Sequence, residues 1–210
     1  MTDALRFSTV VTEQHLSIAR ATLNAADKLN VLTKEMVIGL REQIAIWQRD
    51  DSVVAIILDG AGSKSFCAGG DVVEVVKTAK DNPSKLSTAP FFINEYSLDH
   101  LIHTSPKPVF VCGSGIVMGG GIGLFNGAQH RIVTENTLLA MPEITIGLFP
   151  DVAGTWFLNR MPGRCGLFVG LTGARLNAAD AFYLRLADHY IPELDAEKLS
   201  EKLAEINWTD

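Results

Sequence analysis

Cysteine is scarce in this chain. There are three, Cys67, Cys112 and Cys165, and none stands in a C-x-x-C pair. An odd, unpaired set in apolar surroundings argues against disulfides and for reduced thiols in a reducing compartment. Positive charge is in deficit: 18 Lys and Arg against 24 Asp and Glu give a formal charge of −6, with no basic run. Nucleic acid is therefore not the expected partner, because neutralising phosphates takes clustered cations. A small anionic ligand needs only local donors and stays open. No apolar run reaches the ~20 residues that span a bilayer, so no membrane partner is expected. Met1 to Arg6 has the character of neither a signal peptide nor an Arg-rich transit segment, and a soluble, cytoplasmic protein is expected.

Chemical motifs are missing too. His100 and His103 stand three apart on one helical stretch, but no Cys, Asp or third His evidently completes a ligand set, so no metal is expected. Gly113-Ser114-Gly115 does not meet G-x-S-x-G. From Gly113, G-x-G-x-x is completed by Met118 rather than Gly, and no Gly-Lys-Ser/Thr follows, which removes the dinucleotide fingerprint and the phosphate-binding loop.

What is present is an ordinary globular composition, 47% hydrophobic and 20% charged, over 210 residues. That length suits one domain, or one domain with a small appendage, and a core that needs no staples. Phe7–Val11 and Leu16–Ala21 read as paired strands. Thr33 reads as the N-cap of a helix in which Met36, Leu40, Ile44 and Trp47 recur at helical spacing to Arg49. Val53–Leu58 is a continuous apolar run and reads as a buried strand. A helix is expected after Asp71 to about Lys80, stopped by Asn82-Pro83, and another over Phe91–His103. Val109–Cys112 reads as a strand, Gly119–Gly127 as a helix, and Arg131–Thr134 and Thr137–Ala140 as short strands. Helices over Val152–Leu158, Gly163–Leu171 and Ala178–Leu186, a strand near Asp188–Ile191 and a helix over Asp195–Ile206 complete the chain. Strands alternating with helices make the class α/β.

Four segments could carry chemistry. In Phe66-Cys67-Ala68-Gly69-Gly70-Asp71, small residues let a ligand approach the backbone, and a helix N-terminus beyond offers free N–H groups; a plain tight turn fits equally. Gly119-Gly120-Gly121-Ile122-Gly123 puts four glycines into a helix start, each costing ~1 kcal/mol relative to Ala. Close packing or close ligand approach would offset that cost. Glu143 stands among Met141, Pro142 and Ile144, where apolar surroundings raise a carboxylate's pKa and suit it to acid/base work. Asp151, alone, reads as a helix cap; it meets Glu143 only if the chain folds back, which Gly147 and Pro150 permit. Glu95 reads by itself as an exposed helical Glu.

Together, from about Phe7 to Pro192, these segments resemble the crotonase superfamily, through Phe66–Asp71, Met118-Gly119-Gly120-Gly121, and Met141-Pro142-Glu143 followed by Gly147-Leu148-Phe149-Pro150-Asp151. The resemblance implies a spiral of β-β-α turns followed by helices. It also implies an acyl-CoA substrate whose thioester carbonyl is held by the N–H groups of Gly70 and Gly120. Enoyl-CoA hydratases usually carry a first catalytic Glu where this chain has Gly123. Phe149-Pro150-Asp151 and Glu95 instead match the 3-hydroxyisobutyryl-CoA hydrolase branch. There Glu143 and Asp151 are implied as the catalytic carboxylates and Glu95 as a contact to the substrate's polar end. Ala68 is implied as a further substrate contact. Where the family often has Arg-Pro ahead of Asn30, this chain has Ala25 and Ala26, leaving Lys28 to meet a phosphate; Ala153 stands where Gly is common.

The implied reaction is hydrolysis of a short branched hydroxyacyl-CoA, with no cofactor beyond the CoA that the substrate carries. Hydration or isomerisation through one carboxylate, and acyl-CoA binding without turnover, are the other readings. Residues 1–192 read as the acyl-CoA-binding core and 193–210 as the start of a further helical region, since hydrolases of this branch are longer. Crotonase cores often form trimers, and a homo-oligomer is expected.

Overall fold

The computed structural model describes residues 3–83 and 88–209. Two sheets organise it. The larger has six strands in the order β1-β2-β3-β5-β7-β9, and the smaller has three, β4-β6-β8. Strands β1 (Leu5–Val11) and β2 (Ser17–Leu23) form an antiparallel hairpin, and the later pairings are parallel. The chain alternates between sheets. β3 (Val53–Gly60), β5 (Val109–Gly113) and β7 (His130–Val133) enter the large sheet; β4 (Ser65–Cys67), β6 (Ile116–Met118) and β8 (Leu138–Ala140) follow in the small one. Helices α2 (Val72–Asp81) and α3 (Ala89–His103) come after β4, and α4 (Gly120–Gly127) after β6. The result is a spiral of β-β-α turns. β9 (His189–Tyr190) closes the sheet beside β7.

The apolar run at Val53 buries because the large sheet is covered on both faces. Ile56 and Leu58 of β3 point with Ala19, Ala21, Val109 and Val111 into the main core. Ala55 and Ile57 point the other way with Ile18, Cys112 and Ile132. This is the period-2 alternation of a strand. On the first face lies α1 (Lys34–Arg49). Thr33 caps it by accepting from Met36 N at 3.2 Å, and Met36, Leu40, Ile44 and Trp47 are buried. Each such side chain stabilises the fold by ~1.5–3 kcal/mol. On the second face lies α8 (Ala196–Ala204), through Ala196 and Leu203. The closing helix thus packs back onto the sheet, on the side away from α1.

Several boundaries differ from the sequence reading. β4 and β6 were not expected: each has three residues, too short to show alternation, and runs straight into a glycine segment. The helix expected from Gly163 begins only at Cys165. Gly163 (φ 60°) and Arg164 (φ 63°) are left-handed, so a 3-10 turn at Pro162–Arg164 precedes α6 (Cys165–Thr172). α7 (Ala178–Tyr183) ends before the expected Leu186. Thr137 is a turn residue: its Oγ1 accepts from Thr134 N at 2.7 Å and donates to Gly113 O at 2.6 Å.

Candidate active site

Strands β4, β6 and β8 run parallel, so their carboxyl ends open at one place, where α/β proteins collect ligand groups. From β4 the chain passes through Ala68, Gly69 and Gly70 to Asp71, which caps α2 by accepting from Glu74 N at 3.0 Å. From β6 it passes through Gly119 (φ 51°) into α4. From β8 it passes through Met141 and Pro142 to Glu143. Leu29 O accepts from Ala68 N at 3.1 Å, and Leu32 N donates to Gly69 O at 2.8 Å, which fixes the first loop.

Bare backbone is needed here. A Cβ on Gly120 would lie 3.4 Å from Gly70 N and run into Glu95 Oε1; one on Gly119 would lie 3.2 Å from Glu143 Oε1. The two glycine pairs therefore face each other at contact distance. Neither Gly70 N–H nor Gly120 N–H donates to an acceptor among the described residues. Both line a cleft with Ala68, Glu95, Glu143 and Asp151, closed in by apolar Val75, Phe91 and Ile146.

Glu143 is buried in the first turn of a 3-10 segment, Glu143–Ile146, which Gly147 ends at φ 76°. Its Oε2 has no hydrogen-bond partner among the described residues. Burial pushes its pKa up to about 7, the Asp151 charge adds to this, and a bond from its own backbone N–H opposes it. The chain then folds back, with Leu148 N donating to Glu143 O at 3.0 Å. Asp151 so reaches the same cleft.

Two expectations are overturned by the local geometry. Asp151 is not a side-chain cap. Val152 (φ 39°) and Ala153 (φ 64°) are left-handed, and α5 (Gly154–Phe157) begins only after them. Asp151 Oδ2 instead accepts from the Tyr96 hydroxyl at 2.6 Å. The left-handed Ala153 also gives a physical reason for glycine at that position. Glu95 is not an exposed helical Glu: it is 2% exposed. Burial raises its pKa to about 8, helped by the charges of Asp151 and Glu143.

Of the remaining sequence candidates, Ala68 lines the cleft. Lys28 does not; it is exposed on a 3-10 turn, Ala26–Lys28, next to the Leu29 that anchors Ala68. Cys67 is buried beside the glycines, and burial holds its thiol up at about 12, which unfits it as a nucleophile. Sequence reasoning missed Tyr96 and Asp99. Phe91, Glu95, Leu98, Asp99 and Ile102 are the buried stripe of α3, at i, i+4, i+7, i+8 and i+11. Glu95 and Asp99, four apart on that stripe, could have been flagged by this spacing.

The chain matches the family model described as enoyl-CoA hydratase/isomerase over residues 18–210. It is 41% identical over 203 residues to 3-hydroxyisobutyryl-CoA hydrolase 1 of Arabidopsis thaliana, covering 97% of this chain and 53% of that protein. It is 40% identical over 189 residues to the small ribosomal subunit protein mS47 of Neurospora crassa, covering 90% and 37%. The solved structure of an enoyl-CoA hydratase from Rhodobacter sphaeroides superposes with a TM-score of 0.86 at 36% identity, over 97% of this chain and 58% of that one. The chain spans about half the length of the Arabidopsis relative and less of the Neurospora one. It belongs to the enoyl-CoA hydratase/isomerase family, the crotonase superfamily, in its 3-hydroxyisobutyryl-CoA hydrolase-like branch.

Proposed function

We propose that the chain binds an acyl-CoA thioester and hydrolyses it to the free acid and CoA. The observation that carries this is the convergence of two unengaged amides, Gly70 and Gly120, with Glu143 at the ends of three parallel strands. Attack on a thioester carbonyl builds negative charge on its oxygen. Preorganised N–H donors stabilise that charge by ~3–4 kcal/mol each. Glu143, with a pKa near neutrality, takes up the nucleophile's proton or attacks the carbonyl itself, and Asp151, held by Tyr96, orients the water. Gly123 offers no carboxylate for two-Glu hydration, which favours hydrolysis.

The acyl group that fits this reading is short, branched and hydroxylated, 3-hydroxyisobutyryl. Similarity to the Arabidopsis hydrolase supports it. Glu95, protonated near neutral pH, presents both a donor and an acceptor to a substrate hydroxyl in an otherwise apolar wall. Thiol release from 3-hydroxyisobutyryl-CoA, with crotonyl-CoA hydration run alongside, tests the proposal. Release that Asp151→Asn abolishes is the expected result; hydration that survives Asp151→Asn would overturn it.

The similarity to mS47, named as a ribosomal subunit protein and not as an enzyme, favours a second reading, in which this chain keeps the cleft without turnover. It predicts CoA binding by calorimetry with no thiol release.

A further inference from the structure

Behind Tyr96 and Asp151 lies a second chamber of about 220 Å³, lined among others by Tyr96, Asp99, Gly123, Asn126, Val152 and Trp156. Asp99 and Asn126 are more than nine-tenths buried. Both carboxyl oxygens of Asp99 and the Nδ2 of Asn126 have no hydrogen-bond partner among the described residues, whereas Asn126 Oδ1 accepts from Arg131 Nη1 at 3.3 Å. An unmade hydrogen bond at a buried polar atom costs ~1–3 kcal/mol. Three such atoms lie on two residues that line one space, and an occupant there that hydrogen-bonds would satisfy them.

The occupant's chemistry follows from the walls. Asp99 forms no ion pair with the chamber histidines, His100 and His103, or with any Lys or Arg among the described residues. Burial first, then the charges of Glu95 and Asp151, raise its pKa well above the usual carboxylate range. A neutral carboxyl both donates and accepts, and Asn126 Nδ2 donates; Val152 and Phe157 supply apolar surface, and Trp156 an indole ring with one N–H donor. A neutral molecule able to donate and accept matches this set. One water needs roughly 10–15 Å³ of such space, so several fit.

We propose that this chamber holds the hydrolytic water, anchored by Asp99 and Asn126 and separated from the cleft by Tyr96. The inference rests on the hydrolase reading. Tyr96 and Val152 line the chamber, and Asp151, bonded to the first and preceding the second, lines the cleft. In the step served, a water oriented by Asp151 bonds through its oxygen to the thioester carbonyl carbon and gives its proton to Glu143. The C–S bond breaks, and the sulfur takes that proton back from Glu143 and leaves as CoA thiol. Gly123 belongs to the design, since a Cβ there would lie 2.7 Å from Asp99 Oδ2.

Two readouts test it. A high-resolution crystal structure should hold ordered waters within hydrogen-bond distance of Asp99 and Asn126; a chamber that is dry, or filled by another molecule, overturns the proposal whatever the activity. In thiol-release kinetics, Asp99→Leu should lower kcat at least roughly tenfold with KM unchanged, and Asp99→Asn, an isostere of the protonated acid, should restore most of it. Unchanged kcat in Asp99→Leu overturns the proposal, as does failure of Asp99→Asn to rescue. Asn126→Leu repeats the test from the other wall if Asp99→Leu does not fold. Absence of turnover in the unaltered chain would remove the hydrolase reading, and the crystallographic waters would still decide the chamber.

Discussion

The Tyr96 hydroxyl donates to Asp151 Oδ2 at 2.6 Å, and Tyr96 is the residue next to the buried Glu95. One helix turn of α3 therefore sets both a carboxyl of the cleft wall and the orientation of a second carboxylate 55 residues away. Hydrogen bonds to ionised groups contribute ~1.5–3 kcal/mol. Tyr96→Phe is expected to lower kcat for thiol release roughly ten- to hundredfold. KM should change little, because the ring and its apolar contacts remain.

Gly120 tests the opening between the two amides. An added Cβ would occupy the space between Gly70 N and the Glu95 carboxylate. Gly120→Ala should therefore fold with modest loss while displacing Glu95 and filling the position of the substrate carbonyl. The expected result is a fall in kcat/KM of roughly 10²-fold or more, since one oxyanion donor alone is worth that much. Circular dichroism and a melt distinguish this from unfolding. Unchanged kcat/KM would place the reacting carbonyl elsewhere.

The raised carboxyls carry a signed pH dependence. The pKa of Glu95 is about 8 and that of Glu143 about 7, against an ordinary 4.5. Between the ordinary and the raised values the folded chain binds more protons than the unfolded one, so stability falls as pH rises from about 4.5 to about 8. Glu95→Gln removes the larger share of this penalty. Relative to the unaltered chain, its stability should rise as pH goes from 5 to 9, by on the order of a few kcal/mol, read as a growing difference in Tm. A Tm difference that is flat with pH would mean that Glu95 is ionised throughout.

Much of the fold was legible because its signals are long. The apolar run at Val53 and the helical repeat of α1 give β3 and α1 to within a few residues. The glycine clusters and Glu143 were legible because special backbone and an isolated carboxylate stand out in apolar sequence. Of the small sheet only β8 was legible, as Thr137–Ala140; β4 and β6 were not, since three-residue strands carry no periodicity. Asp151 misled because a carboxylate before a helical stretch looks like a cap. Only the left-handed Val152 and Ala153, which no local rule announces for these residues, release it toward Tyr96. Glu95 was misjudged because helical Glu is usually exposed; its place on the apolar stripe of α3 was the signal that outweighed the residue type.

Gly123 and Asp99 should be energetically coupled. A Cβ at 123 would lie 2.7 and 2.8 Å from the two Asp99 oxygens and 2.8 Å from Val152 Cβ. Gly123→Ala is therefore expected to destabilise by ~1–3 kcal/mol, the usual cost of overpacking, despite the better helix propensity of Ala. Asp99→Ala opens the space that the methyl needs, so the double variant should be less destabilised than the sum of the singles, by ~0.5 kcal/mol or more. Val152, already left-handed, is the remaining obstacle and keeps the rescue partial. Urea unfolding of the four proteins measures the cycle. Simple additivity would mean that Asp99 does not occupy the space beside Gly123. Coupling of the expected sign would explain why this position excludes a side chain: the carboxyl that fills it comes from α3, four residues beyond Glu95, and belongs to the chamber rather than to α4.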